Sequence, residues 1–184
     1  MIAISYIPAI LVTLGIASDN LMLSAISENL TATVKPGKLV LILFMLLNIQ
    51  MAFFQYGNWL AKLVVGNVHG MGKWIAISLL IATAIRIYQE LRLWKGWKDG
   101  IPFGLNGFLE IALVTSIYVF VSGFSLCALH IADSTAYFLT MMAQFVVLVI
   151  GLSAGKGSWL KTLPLVKKTL LVMMVLGIVL FIIQ

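Results

Sequence analysis

Residues 4–27 read ISYIPAILVTLGIASDNLMLSAIS, an apolar run that carries a single charge, Asp19. A helical membrane span needs about 20 mainly apolar residues, and this run is long enough. It has neither a preceding basic region nor a following small-residue cleavage pattern, so we expect a retained span rather than a signal peptide. A carboxylate inside a span costs roughly 2.5–3.5 kcal/mol on insertion scales and usually marks function. Asp19 is therefore the first candidate functional residue.

Composition places the whole chain in a membrane. Of its 184 residues, 62% are hydrophobic and 10% charged, and the mean hydropathy is +1.11. Soluble domains are about 45–50% apolar and about 25% charged. We therefore expect one integral transmembrane domain over residues 1–184. The net charge of +6 is interpreted as topology anchors and contacts with the lipid bilayer, so no nucleic-acid partner is expected. One cysteine, Cys127, excludes an internal disulfide and a multi-cysteine metal site.

The hydropathy pattern predicts an all-α protein with six transmembrane helices. The spans are predicted at residues 4–27, 39–60, 74–94, 105–131, 135–154 and 165–183. Six spans divide as three plus three, and an odd number per half predicts an inverted repeat, as in many transporters.

Lys and Arg predict the orientation of the bundle. Most of the 12 fall in the first, third and fifth loops: Lys35, Lys38, Arg92, Lys95, Lys98, Lys156, Lys161, Lys167 and Lys168. The positive-inside rule then places these loops in the cytoplasm and both termini outside.

Polar residues recur inside the predicted spans. At 100° per residue, five polar residues of the first span share an arc about 140° wide: Thr13, Asp19, Asn20, Ser24 and Ser27. The fourth span has a similar stripe of Glu110, Thr115, Tyr118, Ser122 and Ser125. The second span offers Asn48, Gln50, Gln55 and Asn58, and the third offers Thr83, Arg86 and Glu90. Lipid cannot satisfy such stripes, so we expect them to face each other or water.

Three charged residues are predicted at a similar depth in the membrane. Asp19, Arg86 and Glu110 each lie roughly 9–13 Å from the cytoplasmic boundary at 1.5 Å per residue. Arg86 is expected either to neutralise one of these acids and lock the bundle, or to line a substrate or ion pathway with them. The i,i+4 spacing of Arg86 and Glu90 predicts a local ion pair, with structure or gating as its role. Without a phosphate-binding loop, nucleophile elbow or paired-histidine motif, we do not expect an enzyme or an ATP-driven pump.

The chain resembles a known family over essentially its whole length, and the residues that carry the likeness come in order. The likeness is plainest in the third span, where Trp74-Ile75-Ala76 is followed by Leu79-Leu80-Ile81, Arg86 and Glu90. The first span resembles the family's first-span motif at Gly15, Asp19 and Ser24, and the fourth span resembles the counterpart of that motif in the second half at Thr115-Ser116 and Gly123. Gly57 matches a glycine of the family's second span. The family is that of the small six-helix bacterial manganese efflux pumps, in the lysine-exporter superfamily. The resemblance implies an exporter in the bacterial inner (plasma) membrane.

The resemblance also implies three intramembrane carboxylates, of which this chain keeps only Asp19. The family has an aspartate at the position of Tyr118 and a glutamate at that of Gln50. Divalent manganese prefers about six oxygen ligands. The expected substrate site therefore has Asp19 as its metal ligand or proton carrier, with neutral donors from Asn20, Ser24, Gln50 and Tyr118, and Glu110 as a secondary acid.

Three functions remain open on the sequence. The first is a secondary transporter that exports a small, manganese-like cation through a polar cavity at Asp19, with no resident cofactor. The second is an exporter of an amino acid or other small metabolite, with Arg86 holding a carboxylate. The third is a non-transporting membrane partner protein whose polar residues only hold helices together.

Overall fold

The computed structural model describes residues 6–22, 36–67, 71–93, 105–154 and 163–184. These residues form six α-helices and no strand. The helices are α1 (Tyr6–Ala17), α2 (Pro36–Asn67), α3 (Gly72–Leu93), α4 (Leu105–Ala128), α5 (Asp133–Ala154) and α6 (Leu163–Ile183), and a 3₁₀ helix, Ser18–Met22, continues α1.

Five of these helices are long and apolar enough to cross a bilayer: Gly37–Val65, Gly72–Arg92, Phe108–Ala128, Asp133–Gly151 and Leu163–Ile183. The first span is shorter, an apolar stretch over Tyr6–Leu21, and the remainder of the predicted span lies outside the described residues. Large apolar side chains such as Ile85, Ile117 and Phe145 are exposed, as lipid-facing positions are. The protein is a multi-pass helical membrane protein.

The predicted spans agree with the helices to within a few residues at most boundaries, and α2 is the main difference. It was predicted over 39–60 and instead extends over Pro36–Asn67. Pro36 suits a first helical position, because its missing N–H would have no helical partner there and its φ is already helical. The apolar criterion missed the far end, where Lys62 and Asn67 remain helical.

The first span changes its winding at Ser18, directly before the candidate acid. A 3₁₀ helix turns about 120° per residue, against about 100° in an α-helix, so the directions of Asp19 and Asn20 diverge slightly more than an α-helix predicts. Asp19 contacts α6, whereas Asn20 contacts α2 and α5. The described part of the predicted polar stripe therefore contacts several helices, and its members Ser24 and Ser27 lie outside the described residues.

Glycines bring four helices into backbone contact around the site. A Cβ on Gly57 of α2 would overlap the carbonyl oxygen of Phe120 in α4, and a Cβ on Gly123 would overlap the carbonyl oxygen of Phe54. Small residues allow this approach between membrane helices. In the same way Gly15 brings α1 against α6 at the Cβ of Met174. Helices α2 with α4 and α1 with α6 are the two most extensive contacts of the bundle.

Candidate functional site

A buried lysine is paired with the candidate aspartate. Lys167 Nζ lies 3.3 Å from Asp19 Oδ1, and the side chains are 1% and 2% exposed, respectively. Lys167 is in the second turn of α6, which begins at Leu163. Gly15 contributes to this proximity, because the close approach of α1 to α6 lies one turn before Asp19. An isolated buried charge is costly in a low dielectric, so each of these groups compensates the other.

A second carboxylate, Glu90 of α3, completes the site. Its Oε2 lies 3.6 Å from Lys167 Nζ, and its Oε1 accepts a 2.5 Å hydrogen bond from the Tyr118 hydroxyl. Glu90 is 15% exposed, so it does not lie free in solvent at the interface. Lys167 and Tyr118 therefore hold Glu90 from α6 and α4. We call Asp19, Glu90, Tyr118 and Lys167 the charge cluster.

Arg86 lies at the edge of the charge cluster. Its Nε is 3.4 Å from Glu90 Oε1, which confirms the predicted i,i+4 ion pair. The Arg86 side chain is 66% exposed. The expectation that Arg86 neutralises Asp19 or Glu110 is wrong, because it pairs along its own helix while Lys167 compensates Asp19 from another.

An amide network lies beside the charge cluster. The Gln50 amide donates to Asn20 Oδ1 at 2.7 Å and to Thr115 Oγ1 at 2.9 Å, and the Asn20 amide donates to Gln144 Oε1. All four side chains are buried. Buried amides in a membrane bundle need such partners, because lipid offers none. We call Asn20, Gln50, Thr115 and Gln144 the amide network.

Both networks join the first three helices to the last three. Asp19, Glu90, Asn20 and Gln50 belong to the first half, whereas their partners Lys167, Tyr118, Thr115 and Gln144 belong to the second. A relative movement of the two halves would therefore have to break or exchange these contacts. Lys62 of α2 and Asp133 of α5 form a further ion pair between the halves, which is exposed, whereas the two networks lie mostly in the interior of the bundle.

Several buried polar atoms have no hydrogen-bond partner among the described residues. They are Asp19 Oδ2, Glu90 Oε2, Ser18 Oγ, Asn58 Oδ1, Ser116 Oγ and Gln144 Nε2. Such atoms are uncommon in folded proteins, since each costs about 1–3 kcal/mol when buried. Asp19 Oδ2 is thus available to a ligand, whereas Glu90 Oε2 lacks a hydrogen bond but faces the Lys167 ammonium at 3.6 Å.

Five predicted site residues come together in these networks: Asp19, Asn20, Gln50, Tyr118 and Glu90. Glu110 does not join them and is exposed on α4. Ser24 lies outside the described residues.

The sequence-based prediction did not include Lys167 or Gln144 among the site residues. Lys167 was counted with the loop lysines that set topology, although it lies two residues inside the predicted sixth span. Its position inside an apolar span was the signal available in the sequence. In the structure Lys167 is buried, whereas the neighbouring Lys168 is exposed. Gln144 is a lone amide in an apolar span, and such residues need a polar partner from another helix.

The donors of the site are oxygen atoms of two carboxylates, a phenol and neighbouring amides. Within the described part of the chain, no three His, Cys, Asp or Glu residues form a group able to hold a metal. The set suits a hard cation, which prefers oxygen ligands, but one ammonium already offsets part of the negative charge.

Comparisons with known proteins find no matching family model, curated protein or solved structure.

Proposed function

We propose that this protein is a secondary transporter that exports a small cation, with manganese as the first cargo to test. The observation that carries the proposal is the pair of carboxylates, buried Asp19 and partly buried Glu90, directed at one basic group between the two halves of the bundle. Ionisable residues inside a membrane bundle are costly and usually belong to a transport path. A buried ion pair is weak evidence of a stabilising role, because well-packed apolar residues often stabilise as well or better.

Alternating access between an inverted pair of three-helix halves is the proposed mechanism. The helix contacts support it, because exchanging α1 with α4, α2 with α5 and α3 with α6 maps the two most extensive contacts onto other contacts of the bundle, although the contact of α4 with α5 has no comparable counterpart between α1 and α2 in the described residues. The contact of α2 with α4 corresponds to that of α5 with α1, and the contact of α1 with α6 to that of α4 with α3. The pairs α1 with α4, α2 with α5 and α3 with α6 map onto themselves, and all three are in contact. Substrate sites of such repeats lie at the interface between halves, as the two networks do.

Export from the cytoplasm is proposed from the loop charges and from the family resemblance. With both termini outside, the loops around Lys38, Arg92 and Lys168 face the cytoplasm of a bacterial cell. Reporter fusions at either terminus test this orientation, and a cytoplasmic signal from a terminal fusion would reverse it.

The direct test is manganese flux. We expect deletion of the gene to raise cellular manganese and lower manganese tolerance, and its restoration to reverse both. Asp19→Asn should abolish export while the protein remains in the membrane at the wild-type level. Unchanged tolerance with this variant would remove Asp19 from the mechanism. Purified protein in inverted vesicles separates direct transport from indirect effects on metal handling.

An exporter of an amino acid or other small metabolite is the second candidate. Lys167 favours it, because a buried ammonium could bind a carboxylate of the cargo. The two protein carboxylates already facing that ammonium favour the cation instead. Amino-acid flux without manganese flux in the same vesicles would select the metabolite exporter.

A non-transporting membrane partner is the remaining alternative. In that case the charge cluster only holds helices together, and apolar side chains of similar size should replace it. Full function after joint replacement of Asp19 by Leu and Lys167 by Met would establish this role and exclude both transporters.

A further inference from the structure

We propose that Lys167 is a built-in competitor for the cargo: its ammonium occupies the cation position between Asp19 and Glu90, and a transported cation binds only by displacing it. The identity of the cargo rests on the proposed function, whereas the competition concerns the site alone. The ammonium is 3.3 Å from one carboxylate and 3.6 Å from the other, so a cation bound to both oxygens would need the same space.

Both ion-pair distances of the ammonium are long for charge-assisted hydrogen bonds. Charge-assisted N–H···O bonds are usually about 2.7–2.9 Å, and both distances from Lys167 Nζ are longer. Asp19 Oδ2 has no hydrogen-bond partner among the described residues, so this carboxylate retains an oxygen for an incoming cation, and Glu90 offers the Oε2 that now faces the ammonium. A lysine carries its charge on a flexible four-carbon stem and presents no fixed fork, which suits a group that must leave and return.

Competition of this kind favours divalent cargo. A monovalent cation that replaces the ammonium leaves the charge of the cluster unchanged and gains little Coulomb energy. A divalent cation adds one further positive charge beside two carboxylates in a low-dielectric site. The ammonium also compensates the acids when no cargo is bound, so the empty protein does not hold two uncompensated buried charges. Lys167 thus sets selectivity and neutralises the empty site.

The test is manganese binding to the purified full-length protein in detergent by titration calorimetry. The variants are Lys167→Met, which removes the charge but keeps the length, and Lys168→Met as the matched control on the exposed neighbouring position. We expect at least tenfold tighter manganese binding for Lys167→Met, and competition by 100 mM sodium that the wild type does not show (an order-of-magnitude expectation for removing one adjacent charge). Lys168→Met should behave as the wild type.

A second measurement uses the wild-type protein and does not depend on how a variant folds. Amine acetylation followed by mass spectrometry reports the accessibility of each lysine. Manganese should increase labelling of Lys167 relative to Lys168, because the displaced ammonium leaves its ion pairs. Manganese-independent labelling, or binding to Lys167→Met no tighter than to the wild type, overturns the competition.

The results separate this inference from the proposed function. Wild-type manganese transport with unchanged affinity in Lys167→Met overturns the competitor and keeps the transporter. Tight binding to Lys167→Met without transport by the wild type supports the competitor and overturns the transporter. No manganese binding to either protein overturns the competitor, and flux then decides the transporter.

Discussion

Lys167 Nζ and Asp19 Oδ1 lie 3.3 Å apart in a part of the bundle where both side chains are buried. Asp19 lies in the 3₁₀ helix that ends the described part of the first span, and Lys167 lies near the start of the sixth. The pair therefore joins the two halves at a point where the backbone has left α-helical winding. A 3₁₀ stretch within a helix often marks a hinge, and here such a stretch carries the acid that pairs with α6.

Removing one charge of this pair should destabilise the protein more than removing both. Lys167→Met leaves Asp19 and Glu90 buried without their common cation, for which we expect a loss of roughly 3–5 kcal/mol. Adding Asp19→Asn to Lys167→Met should recover part of that loss. Unfolding of the purified variants in detergent measures the cycle. Additive effects of the two substitutions would show that the pair is not coupled.

The Tyr118 hydroxyl should support Glu90 specifically. Tyr118→Phe removes the 2.5 Å hydrogen bond to Glu90 Oε1, and bonds to charged groups contribute about 1.5–3 kcal/mol. We expect a loss of stability in that range together with weaker manganese binding. Tyr88→Phe is the matched control, because Tyr88 is 55% exposed on α3. Equal effects of the two substitutions would contradict a special role for Tyr118.

Backbone contact between α2 and α4 should make Gly57 and Gly123 intolerant of a methyl group. Alanine at either position places its Cβ against a carbonyl oxygen of the other helix, and overpacking of this kind costs about 1–3 kcal/mol. Gly37→Ala is the control, since no described atom lies within 4 Å of its added Cβ. Thermal unfolding and membrane yield measure the effect. Wild-type stability of Gly57→Ala would mean that the helices lie further apart.

Gln50 should be needed where Gln55, on the same helix, is not. Gln50→Leu leaves Asn20 Oδ1 without the 2.7 Å donor it has in the native protein, and an unsatisfied buried group costs about 1–3 kcal/mol. Gln55→Leu changes an exposed position on α2 and should be neutral. Comparing the unfolding of both variants tests the amide network. Equal stability of the two would argue against it.

The sequence predicted the elements of this fold well and the contacts between them less well. Span positions follow from the length of apolar runs, since a bilayer fixes how long a helix must be. Asp19 was identifiable because a charge in such a run is costly wherever the helix packs. Arg86 and Glu90 were paired correctly because i,i+4 neighbours meet on a helix surface whatever the tertiary fold.

Other residues could not be assigned from one helix at a time. Glu110 and Glu90 are both acids near predicted span ends, yet Glu110 is exposed on α4 and Glu90 contacts Lys167. Asp19 and Asn20 are neighbours in the chain, yet Asp19 contacts α6 and Asn20 contacts α2 and α5, and spacing within one helix does not show which helix each residue faces.

The sequence by itself determined that this chain is a multi-pass helical protein and that Asp19 is a costly charge within it, because hydropathy and span length act locally along the chain. Only the tertiary structure decided which cation faces that acid. Lys167 lies 148 positions from Asp19 along the chain, and the two residues meet only because α1 packs against α6. That packing depends on close approaches between helices, such as the one at Gly15. The residue pattern within a single helix does not predict which helices approach each other in this way.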